Sequence, residues 1–219
     1  MDHKVEILDI FSVTHNVHCL RIEKPEGYHF VPGQATDVSI NRAGWEKEHR
    51  PFTFTCLPDQ PYLEFTIKSY ADHHGVTNEI GNLKKGDSLL IGESWGAIEY
   101  KGPGYFIAGG AGITPFVAIL RLLKKENKVK GNRLFFSNKT AADIIYKDEL
   151  VEILGEENTV FVLTEENRGA NYIDERFLVA NVADFSSRFY LCGPDAMVQQ
   201  ITKILENKGA ATDQVVFEK

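Results

Sequence analysis

The sequence predicts an antiparallel β-barrel followed by an α/β domain built on a parallel, Rossmann-like sheet. Three observations carry this. Six short apolar or alternating runs, separated by turn signals, crowd the first ninety-odd residues. Beyond Lys101-Gly102-Pro103-Gly104 the grammar changes to strand, helix, strand, helix. Two strands of that second half run into helices through glycine and proline, at Gly109-Gly110-Ala111-Gly112-Ile113-Thr114-Pro115 and at Cys192-Gly193-Pro194. The expected domains are residues 1–101 and 102–219.

The barrel strands are expected at 5–13, 17–22, 35–40, 52–57, 62–67 and 88–91. Pro25-Glu26-Gly27, Pro32-Gly33, Pro58-Asp59 and Lys85-Gly86-Asp87 mark turns between them. Six strands at that spacing favour a barrel or sandwich. In the second half strands are expected at 105–108, 133–136, 160–163, 189–192 and 215–217. Helices are expected at 115–126, 144–154, 174–179 and 197–207, with Gly209 closing the last. Thr114 suits an N-cap and Pro115 a first helical turn. Phe116, Ile119, Leu120 and Leu123 then recur at helical spacing.

Bulk properties exclude several classes. The 219 residues are 43% hydrophobic and 25% charged, as in ordinary globular proteins. No apolar run approaches the ~20 residues of a membrane helix, and Met1-Asp2-His3-Lys4 does not begin a signal peptide. Cys19, Cys56 and Cys192 are widely separated and lack metal-ligand spacing, so a reducing cytoplasm is expected, with no iron–sulfur cluster or structural zinc. A net charge of −7 argues against nucleic acid or an anionic membrane as the main partner.

One tight turn needs one or two glycines, so Gly109, Gly110 and Gly112 together suggest that something approaches bare backbone. A helix N-terminus offers unpaired N–H groups and the positive dipole end, so the expected visitor is a phosphate. Gly110-x-Gly112 alone also fits close strand–helix packing. Its recurrence at Cys192-Gly193-Pro194 is more specific, because both strand ends belong at the carboxyl edge of one sheet, where open α/β sheets bind ligands. In the first half, Arg50-Pro51-Phe52-Thr53 sets a guanidinium, a ring and a hydroxyl in four residues. On a strand Arg50 and Phe52 share a face and Thr53 takes the other. Gly75-Val76-Thr77 opens a short helix and is a second anion-suited turn.

The order Arg-Pro-Phe-Thr, Gly-Val-Thr-x-x-Ile, Gly-Gly-Ala-Gly-Ile-Thr-Pro, Cys-Gly-Pro-x-x-Met resembles the ferredoxin–NADP reductase superfamily over essentially the whole chain. Pro32-Gly33-Gln34, before a strand, resembles that family's barrel as well. The resemblance implies an FAD-binding barrel and an NAD(P)-binding α/β domain. Arg50, with Pro51 beside it, would neutralise the FAD pyrophosphate. Phe52 would stack on the flavin where the family usually has tyrosine, and Thr53 would place its hydroxyl near flavin N5. Gly75, Val76 and Thr77 would hold the pyrophosphate from the other side. Gly110, Gly112, Thr114 and Pro115 would receive the pyrophosphate of NAD(P)H. Cys192, Gly193 and Pro194 would border the nicotinamide, with Cys192 near the hydride-donating carbon.

Relatives often end in Glu-x-aromatic, a ring that covers the flavin. Here Val216-Phe217-Glu218-Lys219 stops before that ring, which leaves Glu218 as a candidate catalytic residue and either no lid or Phe217 in its place. His73-His74 precedes the Gly75 turn and is expected to be solvated or near the FAD adenosine. Three cysteines cannot build a plant-type ferredoxin module.

The resemblance thus implies an NAD(P)H-dependent flavoprotein oxidoreductase that passes electrons to a separate acceptor such as flavodoxin or ferredoxin. Residues 1–101 hold ten Lys/Arg against fifteen Asp/Glu, and residues 102–219 fourteen against sixteen. An acidic partner would therefore need a local basic patch such as Lys84-Lys85 or Lys124-Lys125. A flavin reductase using free flavin, an electron-transfer subunit of a larger enzyme and a nucleotide-binding redox sensor are the alternatives. Ser137, Asn138 and Lys139 follow the 133–136 strand without a carboxylate, which favours a 2′-phosphate and hence NADPH. Arg168 would be a second cation.

Overall fold

The computed structural model describes residues 3–69, 75–96, 98–166, 171–211 and 215–217. The chain divides into two compact units, Met1–Ala97 and Ile98–Lys219.

The first unit contains β1 (His3–Thr14), β2 (Val17–Glu23), β3 (Ala35–Ile40), β4 (Arg50–Thr53), β5 (Tyr62–Lys68), α1 (Val76–Ile80) and β6 (Ser88–Ile91). Its sheet has the order β4-β3-β6-β1-β2-β5, and neighbouring strands in it run antiparallel. The two edge strands meet. Phe54, just past β4, bridges Phe65 of β5, and the Thr55 N–H donates to the Glu64 carbonyl at 2.9 Å. This junction curls the sheet into a barrel and satisfies backbone groups that an open edge would expose. Alternate residues point inward: Val5 and Ile7, Leu20 and Ile22, Val38 and Ile40, Leu89 and Ile91 form one buried cluster. Phe54 is its hub, with ring centroids at 4.3 Å from Phe30, 5.2 Å from Phe65 and 5.9 Å from Tyr28. Truncating a ring so enclosed costs about 3–5 kcal/mol.

Five of the six barrel strands lie where the alternation predicts them. The fourth differs. It runs from Arg50 to Thr53 rather than 52–57. Pro51 lacks an N–H, which an edge strand tolerates. Past Thr53 the chain leaves β3 to make the junction with β5, so the apolar run continues without continuing the same ladder.

The second unit contains β7 (Gly104–Gly109), α2 (Thr114–Lys125), β8 (Arg133–Asn138), α3 (Lys147–Leu154), β9 (Thr159–Leu163), α4 (Glu175–Asn181), β10 (Arg188–Cys192), α5 (Asp195–Asn207) and β11 (Val215–Phe217). The sheet is parallel throughout, in the order β11-β10-β7-β8-β9. Helices cover both faces. Phe106 meets Phe116 of α2 at 5.1 Å, whereas Tyr105, Ile107, Phe189 and Leu191 pack with Leu178 of α4 and Ile201 and Leu205 of α5. Residues 98–101 are bound into this unit. The Tyr100 ring stacks 5.7 Å from Tyr190, whose hydroxyl accepts from the Lys101 N–H at 2.9 Å.

Two helices start elsewhere than periodicity suggests. The stretch expected to open α3 at 144 first makes a 3-10 turn, Ala141–Asp143, closed by a Thr140–Asp143 capping box. Tyr146 then takes a left-handed φ of 54°, so α3 begins only at Lys147. Helix α5 begins at Asp195, two residues earlier than expected, with Pro194 as N-cap. Among the described residues no helix is long and apolar enough to cross a membrane.

Candidate functional site

Each unit carries one cradle. In the barrel, β3 supports both parts of the first. Its strand pairs with β4, setting Val38 opposite Arg50 and Thr36 opposite Phe52. Past its end, the Arg42 guanidinium bonds to Glu79 of α1 and holds that carboxyl below its usual range. Alternation on β4 is as expected: Phe52 is half-buried with its ring 6.3 Å from Phe65, and Thr53 is buried. Arg50 is exposed, with Pro51 beside it. Its Nη1 donates to the neighbouring His49 carbonyl at 2.7 Å and its Nη2 stands 3.8 Å from Glu48. Neither is a deep anchor, so the guanidinium is open to an anion. Gly75 is the N-cap of α1, accepting from the Asn78 and Glu79 N–H groups at 3.1 Å. A Cβ placed on it would meet no atom within 4 Å. The N–H groups of Val76 and Thr77 open the helix and have no intrahelical acceptor. These residues fit a bound pyrophosphate with an aromatic ring system beside it.

The second cradle sits at the carboxyl edge of the parallel sheet. Strand β7 is central. The chain runs from it to β8 and β9 on one side and returns to β10 and β11 on the other. The order therefore reverses between β7 and β10, the place where open α/β sheets bind ligands. Ala108 pairs with Cys192, so the two glycine-containing turns leave the sheet side by side. Gly109 faces the second turn: a Cβ on it would lie 2.8 Å from Met197 Sδ and 2.9 Å from Pro194 Cδ. On Gly112 it would lie 2.5 Å from the Cys192 carbonyl carbon and 2.6 Å from the Gly193 nitrogen. Gly110 has φ +53°, and a Cβ there would meet nothing within 4 Å. Two glycines thus let the turns interlock, and the third leaves open space against bare backbone.

Thr114 does not cap α2 as its residue type suggests. A 3-10 turn, Gly110–Ile113, leads into the helix, and the Thr114 hydroxyl donates back to the Ala111 carbonyl at 3.0 Å. Pro115 is in the first turn as expected. Cys192 ends β10 as a buried thiol outside any disulfide, followed by Gly193 and the N-cap Pro194.

The end of β8 holds what sequence reading missed. Lys139 is not a lone cation: its Nζ lies 3.1 Å from the Glu165 carboxylate. Glu166 accepts the Ala141 N–H at 2.5 Å. Parallel pairing sets Asn138 opposite Leu163, which carries both acids to this corner although they lie some 26 residues further along. The signal available was positional, since acids just past one strand end of a parallel sheet neighbour the preceding strand end. Ser137 is half-buried and pairs with Gly109. His73, His74, Arg168 and Glu218 lie outside the described residues. Among those described, no group of three or more His, Cys, Asp or Glu is arranged to hold a metal ion.

Known proteins share this plan. Residues 106–203 match the family model described as the oxidoreductase NAD-binding domain. The chain is 29% identical to the reductase component of propane 2-monooxygenase from Rhodococcus jostii, over 100% of this chain and 63% of that protein. It is 22% identical to the ferredoxin–NAD(P)(+) reductase component of the naphthalene 1,2-dioxygenase system from Pseudomonas putida, over 97% and 67% respectively. It thus spans about two thirds of the length of these relatives. Among solved structures, a ferredoxin NADP+ reductase from Neisseria gonorrhoeae with bound FAD and NADP superposes with a TM-score of 0.83 at 20% identity, covering 99% of this chain and 98% of that one.

In fold the chain is similar to that two-unit reductase. The resemblance carried by the four motifs is matched by that fold, and residues 106–203 are similar to the oxidoreductase NAD-binding domain.

Proposed function

We propose that this chain is an FAD-dependent oxidoreductase that takes hydride from NADH and delivers electrons to a separate redox protein. The observation that carries the reading is the interlock of the Gly110–Gly112 and Cys192–Pro194 turns at the sheet's switch point. Such a site binds a dinucleotide across two neighbouring strand ends.

In this reading Arg50 neutralises the FAD pyrophosphate, and the opening turn of α1 at Gly75, Val76 and Thr77 receives it from the opposite side. Phe52 would present its ring to the flavin, and Thr53 would offer its hydroxyl to the flavin's reacting edge. Bound FAD supplies the exchange between two-electron hydride chemistry and single-electron transfer. The backbone N–H groups of the turn before α2 hold the NADH pyrophosphate. Cys192, Gly193 and Pro194 border the nicotinamide and keep water from it, while Glu218 and Phe217 are candidates to close the site. The protein's contribution is alignment and exclusion of solvent.

The cofactor preference follows from the β8 corner. Lys139 alone would favour a 2′-phosphate. With its charge answered by Glu165 at 3.1 Å, and Glu166 beside it, the corner favours a ribose hydroxyl that can donate to a carboxylate. The reading is therefore NADH over NADPH.

The acceptor is a ferredoxin, a flavodoxin or the oxygenase component of a multicomponent system. Supporting this are the relatives named as reductase components of a monooxygenase and a dioxygenase system. The absorbance spectrum of the purified protein tests the core of the proposal. Flavin bands that bleach anaerobically with NADH are expected. A colourless protein that oxidises NADH only with added flavin would replace the reading by a free-flavin reductase.

A further inference from the structure

Met197 is the one methionine of this chain besides Met1. It stands in the first turn of α5, where its N–H donates to the Pro194 carbonyl at 2.8 Å. Side chains on a helix lean toward its N-terminus, so the Met197 thioether reaches back over the turn that precedes it. There it meets both strand ends. A Cβ built on Gly109 would lie 2.8 Å from Sδ and 2.9 Å from Cε, and one built on Gly193 would lie 2.6 Å from Cε. Gly109 ends β7 and Gly193 follows β10, so one thioether packs on both halves of the dinucleotide cradle.

This contact has two unusual properties. Its far side is glycine backbone, with no side chain to give way. The residue also keeps part of its surface in solvent, while the rest packs on the core beneath α5. A partly exposed methionine sulfur is open to peroxide, and the sulfoxide that results is polar and chiral. The three cysteines, by contrast, are buried.

Reduced flavin left without an acceptor gives two electrons to dioxygen and yields hydrogen peroxide. We propose that Met197 is an oxidation site through which this peroxide closes the dinucleotide cradle. A sulfur lone pair attacks one peroxide oxygen; the S–O bond forms as the O–O bond breaks. Sulfur loses two electrons, and the departing hydroxide takes the proton of the transferred oxygen and leaves as water. The new oxygen has no place between Sδ and Gly109, so the side chain is driven off the glycines and the two turns lose their shared contact. Turnover without an acceptor then shuts off NADH entry, in a form that methionine sulfoxide reductases can reverse. The regulatory consequence rests on the flavin and nucleotide-binding reading above.

The test treats wild-type protein, Met197→Leu and Met197→Gln with hydrogen peroxide and locates added oxygen by peptide mass spectrometry. Calorimetry with the unreactive tetrahydro analogue of NADH gives the affinity before and after treatment. In wild type the Met197 peptide should gain one oxygen and the dissociation constant should rise at least tenfold, the scale of a small misplacement in a positioned site. Bound flavin should be unchanged, and methionine sulfoxide reductases should restore the affinity. Met197→Leu, or Met197→Ile if that variant does not fold, should show the same affinity before and after peroxide. Met197→Gln, which puts a polar group on the glycines, should bind weakly without treatment. Aerobic turnover with NADH and no acceptor should mark Met197 in the same way, and catalase should prevent it. Oxidised Met197 with unchanged affinity would overturn the proposal, as would turnover that leaves Met197 unmarked. Equal loss in Met197→Leu would overturn it by moving the event to Cys192. Untreated wild type that does not bind the analogue would instead overturn the nucleotide-binding reading, a result seen before any peroxide is added.

Discussion

Gly112 lies against Cys192 so closely that a side chain on the glycine would overlap the cysteine's carbonyl group. The first residue belongs to the turn before α2 and the second to the end of β10, so one missing Cβ joins the two strand ends into one cradle. The obstacle is backbone, which cannot swing aside as the tip of a flexible side chain can. Gly112→Ala is therefore expected to push the turns apart. NADH affinity, measured by titration, should fall at least tenfold while the barrel keeps its flavin. Retained affinity would show that the cradle does not depend on this contact.

Arg50 is expected to anchor FAD. Its guanidinium is exposed, donating to the His49 carbonyl at 2.7 Å and standing 3.8 Å from Glu48. Arg50→Ala should raise the FAD dissociation constant tenfold or more, equivalent to about 1.4 kcal/mol. Flavin content after gel filtration reads the effect, and full retention would contradict the assignment.

Glu165 is expected to set cofactor preference through Lys139, 3.1 Å away. Glu165→Gln removes the negative charge beside Lys139 and releases the ammonium. The ratio of kcat/KM for NADPH to that for NADH should rise about tenfold, the scale of one charge-assisted contact. An unchanged ratio would place the 2′-position elsewhere.

Cys56 gives the barrel an alkaline limit. Burial pushes its thiol up from 9.0 to about 12. Between those values the unfolded chain has released the proton and the folded chain still holds it. The unfolded state then binds fewer protons, and stability falls as pH rises through that window. Chemical denaturation at pH 8 and pH 10 should show a lower midpoint at the higher pH, and Cys56→Ala should lessen the difference.

Much of this was legible in the sequence because the signals were local. Alternation along residues 5–13 and 17–22 is enough to find β1 and β2, and two glycine-rich strand ends in an alternating αβ pattern are enough to find the second cradle. What escaped was long-range. Nothing near Lys139 reveals Glu165, which reaches it only through the parallel pairing of β8 with β9. Phe54 to Leu57 reads as more strand, yet the chain leaves the β3 ladder at Phe54 to join the barrel's two edges. Thr114 has the right residue type for a cap, but the 3-10 turn before it directs its hydroxyl back to Ala111.

The proposed chemistry requires one chain to bind both flavin and dinucleotide and to transfer hydride between them. Anaerobic stopped-flow mixing of the purified protein with NADH tests it most directly. Flavin absorbance should decay in one turnover without added flavin, and a Cys192→Ala variant should keep its flavin but be reduced more slowly. Bound flavin that NADH does not reduce would contradict it.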